Sequence, residues 1–251
     1  IQRQLNAILL TTNPIYLLNY IKTIITFLFN TMNPIYFILF CCFFNYISYP
    51  IVGIFFNWKY PTFKQYSIQR QNYILKNFIK CMILKYISIS TIPFTILFLF
   101  DIGDHTTYIH FIGSLYCTCD TISLIKDIKL SKSTKIHHSI TTFFSFINIS
   151  INWYQANPIL KLMVLYTILS CYSFNVNYCL GMRFLLSKKE QQSIKQKAKE
   201  TYSLTCFVNW TIHLLYLYHN IYIISLPGKL YYCLIAFIVY DDIILLKWLN
   251  N

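Results

Sequence analysis

Two adjacent histidines, His137 and His138, open an apolar run, and a lone acid, Asp120, lies inside the apolar run before it. The connection between the two runs is short, which predicts an antiparallel hairpin. At a rise of ~1.5 Å per residue, Asp120 falls about one to two turns inside its run, a level that a histidine of the next helix can reach. A carboxylate beside an imidazole fixes its tautomer and raises its basicity, which is what a general base requires. Successive helical residues point about 100° apart, so one histidine is expected to face a bundle interior and the other lipid or loop. That divergence makes the pair a poor joint metal ligand. No His-x3-His or Glu-x-x-His spacing accompanies it, so neither a metal nor another cofactor is expected. The plainer alternative has the histidines capping a helix among headgroups, with Asp120 paired to Lys85.

Ionisable side chains inside a bilayer face a cavity or a partner, which brings His110, His213, His219, Asp241 and Asp242 into consideration. His213 and His219 are six apart and do not share a helix face, which suits interface or core histidines. Asp241 and Asp242 sit together inside the last apolar run, as partner or cavity residues, with Lys247 able to reach back toward one. The nine cysteines lie in or beside apolar runs without zinc or redox spacing and read as small hydrophobes between helices. Asn148 and Asn209 match the glycosylation pattern but fall inside apolar runs, and are set aside. No Gly-rich phosphate loop or Gly-x-Ser-x-Gly elbow occurs in a chain with five glycines.

The elements that carry these residues follow from composition and charge. The 251 residues are 56% hydrophobic and 12% charged, with mean hydropathy +0.48, against about 25% charged in a soluble domain. A spanning helix needs about 20 mostly apolar residues. Seven runs qualify, at 34–56, 74–100, 106–126, 137–154, 159–182, 203–225 and 229–249. They are continuous and do not alternate with period two, so helices are favoured over a barrel. Residues 1–31 are a leader or an extra apolar segment ahead of a domain at 34–250; Met32 is the first methionine.

The net charge is +13, and most of the basic residues fall in alternate loops. Lys59, Lys64 and Arg70 follow the first run, Lys126, Lys129, Lys132 and Lys135 the third, and Arg183 with five lysines to Lys199 the fifth. The loops between are nearly free of basic residues. Alternation of this kind predicts cytosolic basic loops, with the histidine pair at the cytosolic mouth of the fourth run. It also accounts for the charge without a nucleic-acid partner. The hydrophilic stretch 187–201 reads as a solvated loop against anionic headgroups.

An aromatic-rich run carrying an acid (Gly113-Ser-Leu-Tyr116-Cys-Thr-Cys-Asp120), a short loop and then His137-His138 is similar to the TLC-domain family (TRAM–Lag–CLN), which includes the ceramide synthases. The resemblance covers roughly residues 34–250, and 113–183 is its specific part. One branch, distinct from the ceramide synthases, carries a Glu-x-Ser-Thr-Pro-x-x-Asn-x-Arg-Trp pattern in the following run. Ile168-Leu-Ser170-Cys-Tyr-Ser-Phe-Asn175-Val-Asn177-Tyr178 resembles it, with Ser170 and Asn175 in register. Ile168, Tyr172 and Asn177 stand where that branch has Glu, Pro and Arg, and Tyr178 where it has Trp. The acidic motif that follows the histidine pair in ceramide synthases is missing, since no acid occurs between residues 128 and 189.

The resemblance implies an all-α, multi-pass transmembrane bundle of about seven spans. It implies a membrane protein, of the endoplasmic reticulum or another membrane, that binds lipids or influences lipid composition and homeostasis. Asp120, His137, His138, Ser170 and Asn175 would line its cavity. The alternative it implies is an acyl-CoA-dependent lipid N-acyltransferase, with His137 or His138 as base or nucleophile and Asp120 orienting it. A transporter or receptor with an aqueous path along Asp241, Asp242 and His213 is a further alternative from the residues alone.

Overall fold

The structure is a computed structural model that describes residues 34–100, 102–127 and 129–251; the expected leader or extra segment at 1–31 lies outside these residues. Among them the chain is all-helical. Helix α1 spans Pro34–Lys59, α2 Ile68–Leu99, α3 Thr106–Lys126 and α4 Lys132–Ser150; α5 spans Pro158–Cys171, α6 Phe174–Met182, α7 Lys188–Asn220 and α8 Leu226–Asn250.

Local chemistry sets several of the boundaries. Ser131 starts α4 by accepting the Thr134 N–H at 3.1 Å, and Asn157 starts α5 by accepting that of Leu160, with Pro158 in the first turn where its missing N–H is not needed. Ser187 and Glu190 form a reciprocal capping box that opens α7. In the loop before α3, the Thr106 N–H donates to Asp104, and that bond holds the carboxyl below the usual carboxylate range. The fifth expected run is broken. Helices α5 and α6 meet at 45°, bridged by short-range bonds from the N–H groups of Tyr172 and Ser173 to Leu169 and Ser170.

The helices close a ring in the order α2, α3, α4, α8, α7 and the bent pair α5–α6, which returns to α2; α1 packs outside on α2 and α3. The pairing of α6 with α2 depends on Gly181, where a side chain would lie 3.1 Å from the Ile74 carbonyl. One face of each helix goes inward, and large apolar side chains such as Phe43, Ile54, Phe146, Phe207, Tyr218, Phe237 and Tyr240 remain exposed on the outside.

The seven expected runs all fall on helices, but by length and composition only α1 and α2 qualify as membrane spans, or three spans if the bent pair is counted as one. The expectation of about seven is corrected to that number. The physical reason is the inward face: α3 buries Ser114, Thr118, Asp120 and Ser123, the first turns of α7 are charged, and α8 carries Asp241 and Asp242. These side chains dilute helices whose outer faces are apolar. Among the described residues the chain is a helical bundle in which α1 and α2 are long and apolar enough to cross a membrane, which supports membrane association.

Candidate functional site

The ring encloses a cavity of about 610 Å³ that opens on the side of the basic loops, beside Ser67, Arg70, Lys129 and Arg183. Every member of the ring contributes to it. Helix α2 does so through a stripe spaced 3, 4, 7 and 11 from its first member: Tyr73, Lys76, Asn77, Lys80 and Leu84. That stripe was available in the sequence and is the signal by which Lys80 could have been found.

Asp120 is fully buried on α3 and sits one layer behind the cavity wall. Its Oδ1 takes the Lys80 ammonium at 2.5 Å and lies 2.7 Å from His138 Nδ1; its Oδ2 accepts from the Thr141 hydroxyl at 3.0 Å. Lys80 is therefore the lysine that pairs with Asp120. Lys85, five residues on and about 140° round the helix, is exposed. The His138 contact is close but falls outside the angular range of a directed hydrogen bond, so it is electrostatic in character. Asp120 is a neutralising anchor between α2, α3 and α4, and its own carboxylate is not presented to a ligand.

His137 approaches a second carboxylate, with Nδ1 at 3.2 Å from Asp241 Oδ2, again off the hydrogen-bond direction. Thr134 donates to the other Asp241 oxygen at 3.4 Å. Both histidines line the cavity, which corrects the expectation that only one faces inward. Helix α4 stands between α3 and α8 in the ring, so directions about 100° apart still reach an inward neighbour on each side. Among the described residues, neither Nε2 makes a hydrogen bond.

Asp242 extends the constellation. It is buried and accepts from the Tyr166 and Tyr202 hydroxyls, each at 2.6 Å, which ties α8 to α5 and α7. Lys76 and Asp127 pair at 2.8 Å near the mouth. Ser170 lines the cavity and receives a long bond from Asn209 at 3.4 Å. Asn175 does not line it. It follows the 45° break, after which Asn177 is the asparagine on the cavity side.

A separate apolar crevice of about 40 Å³, between Ile112, Phe144, Val164 and Ile238, shares Tyr116, His137 and Tyr166 with the cavity wall. His213 lies outside both spaces, bonded to the Asn209 carbonyl and the Tyr231 hydroxyl, and Asn148 and Asn209 are buried. The arrangement therefore offers a basic mouth, two imidazoles beside carboxylates at mid-depth, and apolar wall residues. No protein-family model matches the chain, and no curated protein and no solved structure matches it either.

Proposed function

We propose that this chain is a multi-pass membrane protein of the TLC-domain type, in the endoplasmic reticulum or another membrane, whose helix ring binds a membrane lipid. The observation that carries the proposal is the cavity of about 610 Å³, which sets a basic rim at Arg70, Lys129 and Arg183 beside apolar wall residues Leu84, Val176, Leu180, Ile244 and Leu245. The headgroup of an amphiphile suits the rim and its chains the apolar wall, and a space of that volume is in the range of ligand pockets. Multi-pass insertion is supported by the large apolar side chains left exposed on α4, α7 and α8, since soluble monomers seldom expose such continuous apolar surface. The His137-His138 pair with Asp120 supports the family reading.

Lipid retention tests the reading. Purified protein in a mild detergent should carry a diacyl lipid detectable by native mass spectrometry. A Ser170→Trp variant that fills the cavity should lose it while keeping its elution volume. A folded wild type that retains and rebinds no lipid would sink the idea.

A second reading, group transfer to or from the bound lipid, is favoured by one observation. Asp241 of α8 stands 3.2 Å from His137 Nδ1, in a chain with no acid between residues 128 and 189. The imidazoles would then act as general base toward an acceptor, with acyl-CoA as donor. Acyl-CoA-dependent lipid acylation by wild type, lost in the His137→Ala/His138→Ala double variant, supports this. Inactivity of folded wild type across several acceptors removes it and leaves lipid binding standing.

A further inference from the structure

The mouth of the cavity holds a group of cations that no carboxylate neutralises. The Arg183 guanidinium is packed among three aromatic rings, 4.8 Å from the centre of Phe184, 4.9 Å from Trp248 and 5.6 Å from Tyr73. Arg70 approaches the same Phe184 ring at 5.2 Å, and Lys195 the same Trp248 ring at 5.5 Å. None of the three forms an ion pair among the described residues, where the ion pairs are Lys76–Asp127, Lys80–Asp120, His137–Asp241 and His138–Asp120. The Arg183 Nε–H is buried without a partner, and Nη2 has only a long bond to the Tyr73 hydroxyl at 3.5 Å.

A guanidinium carries five donors in a fixed fork that fits a phosphate, and a buried donor left unmade is costly. Aromatic packing lowers the cost of removing the cation from water but does not satisfy its N–H groups. Two guanidiniums sharing one ring also repel each other unless an anion lies between or beside them. Both Arg70 and Arg183 line the cavity mouth. We infer that Arg183, with Arg70, is the seat of a phosphate group carried by the cavity's ligand. The inference rests on the lipid reading above and deepens it by naming the headgroup chemistry. A phosphate at Arg183 leaves the rest of an amphiphile to lie within the cavity along Leu84, Val176, Leu180 and Leu245.

The test compares two soluble lipids with identical chains, dioctanoyl phosphatidic acid and dioctanoylglycerol, on the full chain in a neutral detergent. Phosphatidic acid should bind about ten- to a hundredfold more tightly, the range expected of charge-assisted hydrogen bonds to a buried fork. Arg183→Lys, which keeps charge but not the fork, and Arg70→Ala at an exposed position should each remove most of that preference. Dioctanoylglycerol affinity should be unchanged in both. Arg183→Ala adds the full deletion where it elutes as wild type does. Competition by inorganic phosphate assigns the seat to the phosphate group itself. Lack of competition, with the Arg183 dependence intact, assigns it to lipid-borne phosphate. Equal affinity for the two lipids, or a preference that survives in both Arg183→Lys and Arg70→Ala, overturns the inference and leaves the lipid cavity in place. Absence of binding by either lipid overturns both.

Discussion

The two ends of the helix ring are built from opposite halves of the same helices. On the basic side the lining comes from the first half of α2, the second half of α3, the first half of α4, the second halves of α5 and α8, and α6 with Tyr202 of α7. These halves carry Lys76, Lys80, His137, His138, Asp241 and Asp242. On the other side the complementary halves pack Phe94, Phe98, Ile109, Ile112, Phe144, Met163, Tyr231 and Ile235 into one apolar cluster. Because successive helices run in opposite directions, polar and apolar segments alternate along the chain but segregate in space. The result is a vestibule open toward the basic loops and closed by a hydrophobic plug.

Removing the anchor of the polar half should do most to collapse the difference. Asp120→Ala strands the Lys80 ammonium beside His138 and should cost about 3–5 kcal/mol, as breaking a buried ion pair does. Thermal unfolding in detergent reads this, and a double Lys80→Met/Asp120→Leu change should recover most of the loss. An Asp120→Ala protein as stable as wild type would show that the pair is not an anchor. Thiol labelling sharpens the contrast directly. With the exposed Cys233 replaced by Ser, a charged maleimide should modify Asn177→Cys at least about a hundredfold faster than Ile112→Cys, since reaction needs a water-accessible thiolate. Fast labelling of Ile112→Cys would show the plug open to water.

The Asp242 node gives a smaller effect. Tyr202→Phe removes one of two hydroxyl donors and should cost about 1–2 kcal/mol. Tyr166→Phe should be non-additive with it because both serve one carboxylate. The smallest change lies at the far end. Asp104 has a carboxyl held below its ordinary value, so its contribution is present above about 3.8 and lost as pH falls through the lower folded value. Asp104 is solvent-exposed, so Asp104→Ala should cost no more than about 0.5 kcal/mol, and only above that range.

Much of the polar half was legible in the sequence as parts and less so as an assembly. The apolar runs found the helices, and the hairpin argument brought a histidine of α4 to the level of Asp120, two groups only 18 residues apart. The partners that complete the site come from much farther along the chain. Lys80 precedes Asp120 by 40 positions, and Asp241 reaches the α4 hairpin across more than 100, as its bond from Thr134 shows. Such pairings depend on which helices are neighbours in the ring, and hydropathy periodicity does not encode ring order. Asn175 came from the family resemblance alone: five residues beyond Ser170 it lies about 140° round a helix, whereas Asn177, seven beyond, returns to within about 20° of the Ser170 face and lines the cavity.

The 45° break between α5 and α6 divides the span. Helix α5 belongs to the plug through Met163, Val164 and Ile168, while the nine-residue α6 leans on α2 at Gly181 and on α7. A helix interrupted at its middle can seat its two halves in different surroundings, and the close approach at Gly181 holds α6 against α2. Asn177 and Leu180, with Arg183 at the C-cap, are thereby set at the cavity rim independently of the direction α5 takes through the plug. The interruption decides where the rim cation sits, and the apolar cluster decides where α5 sits.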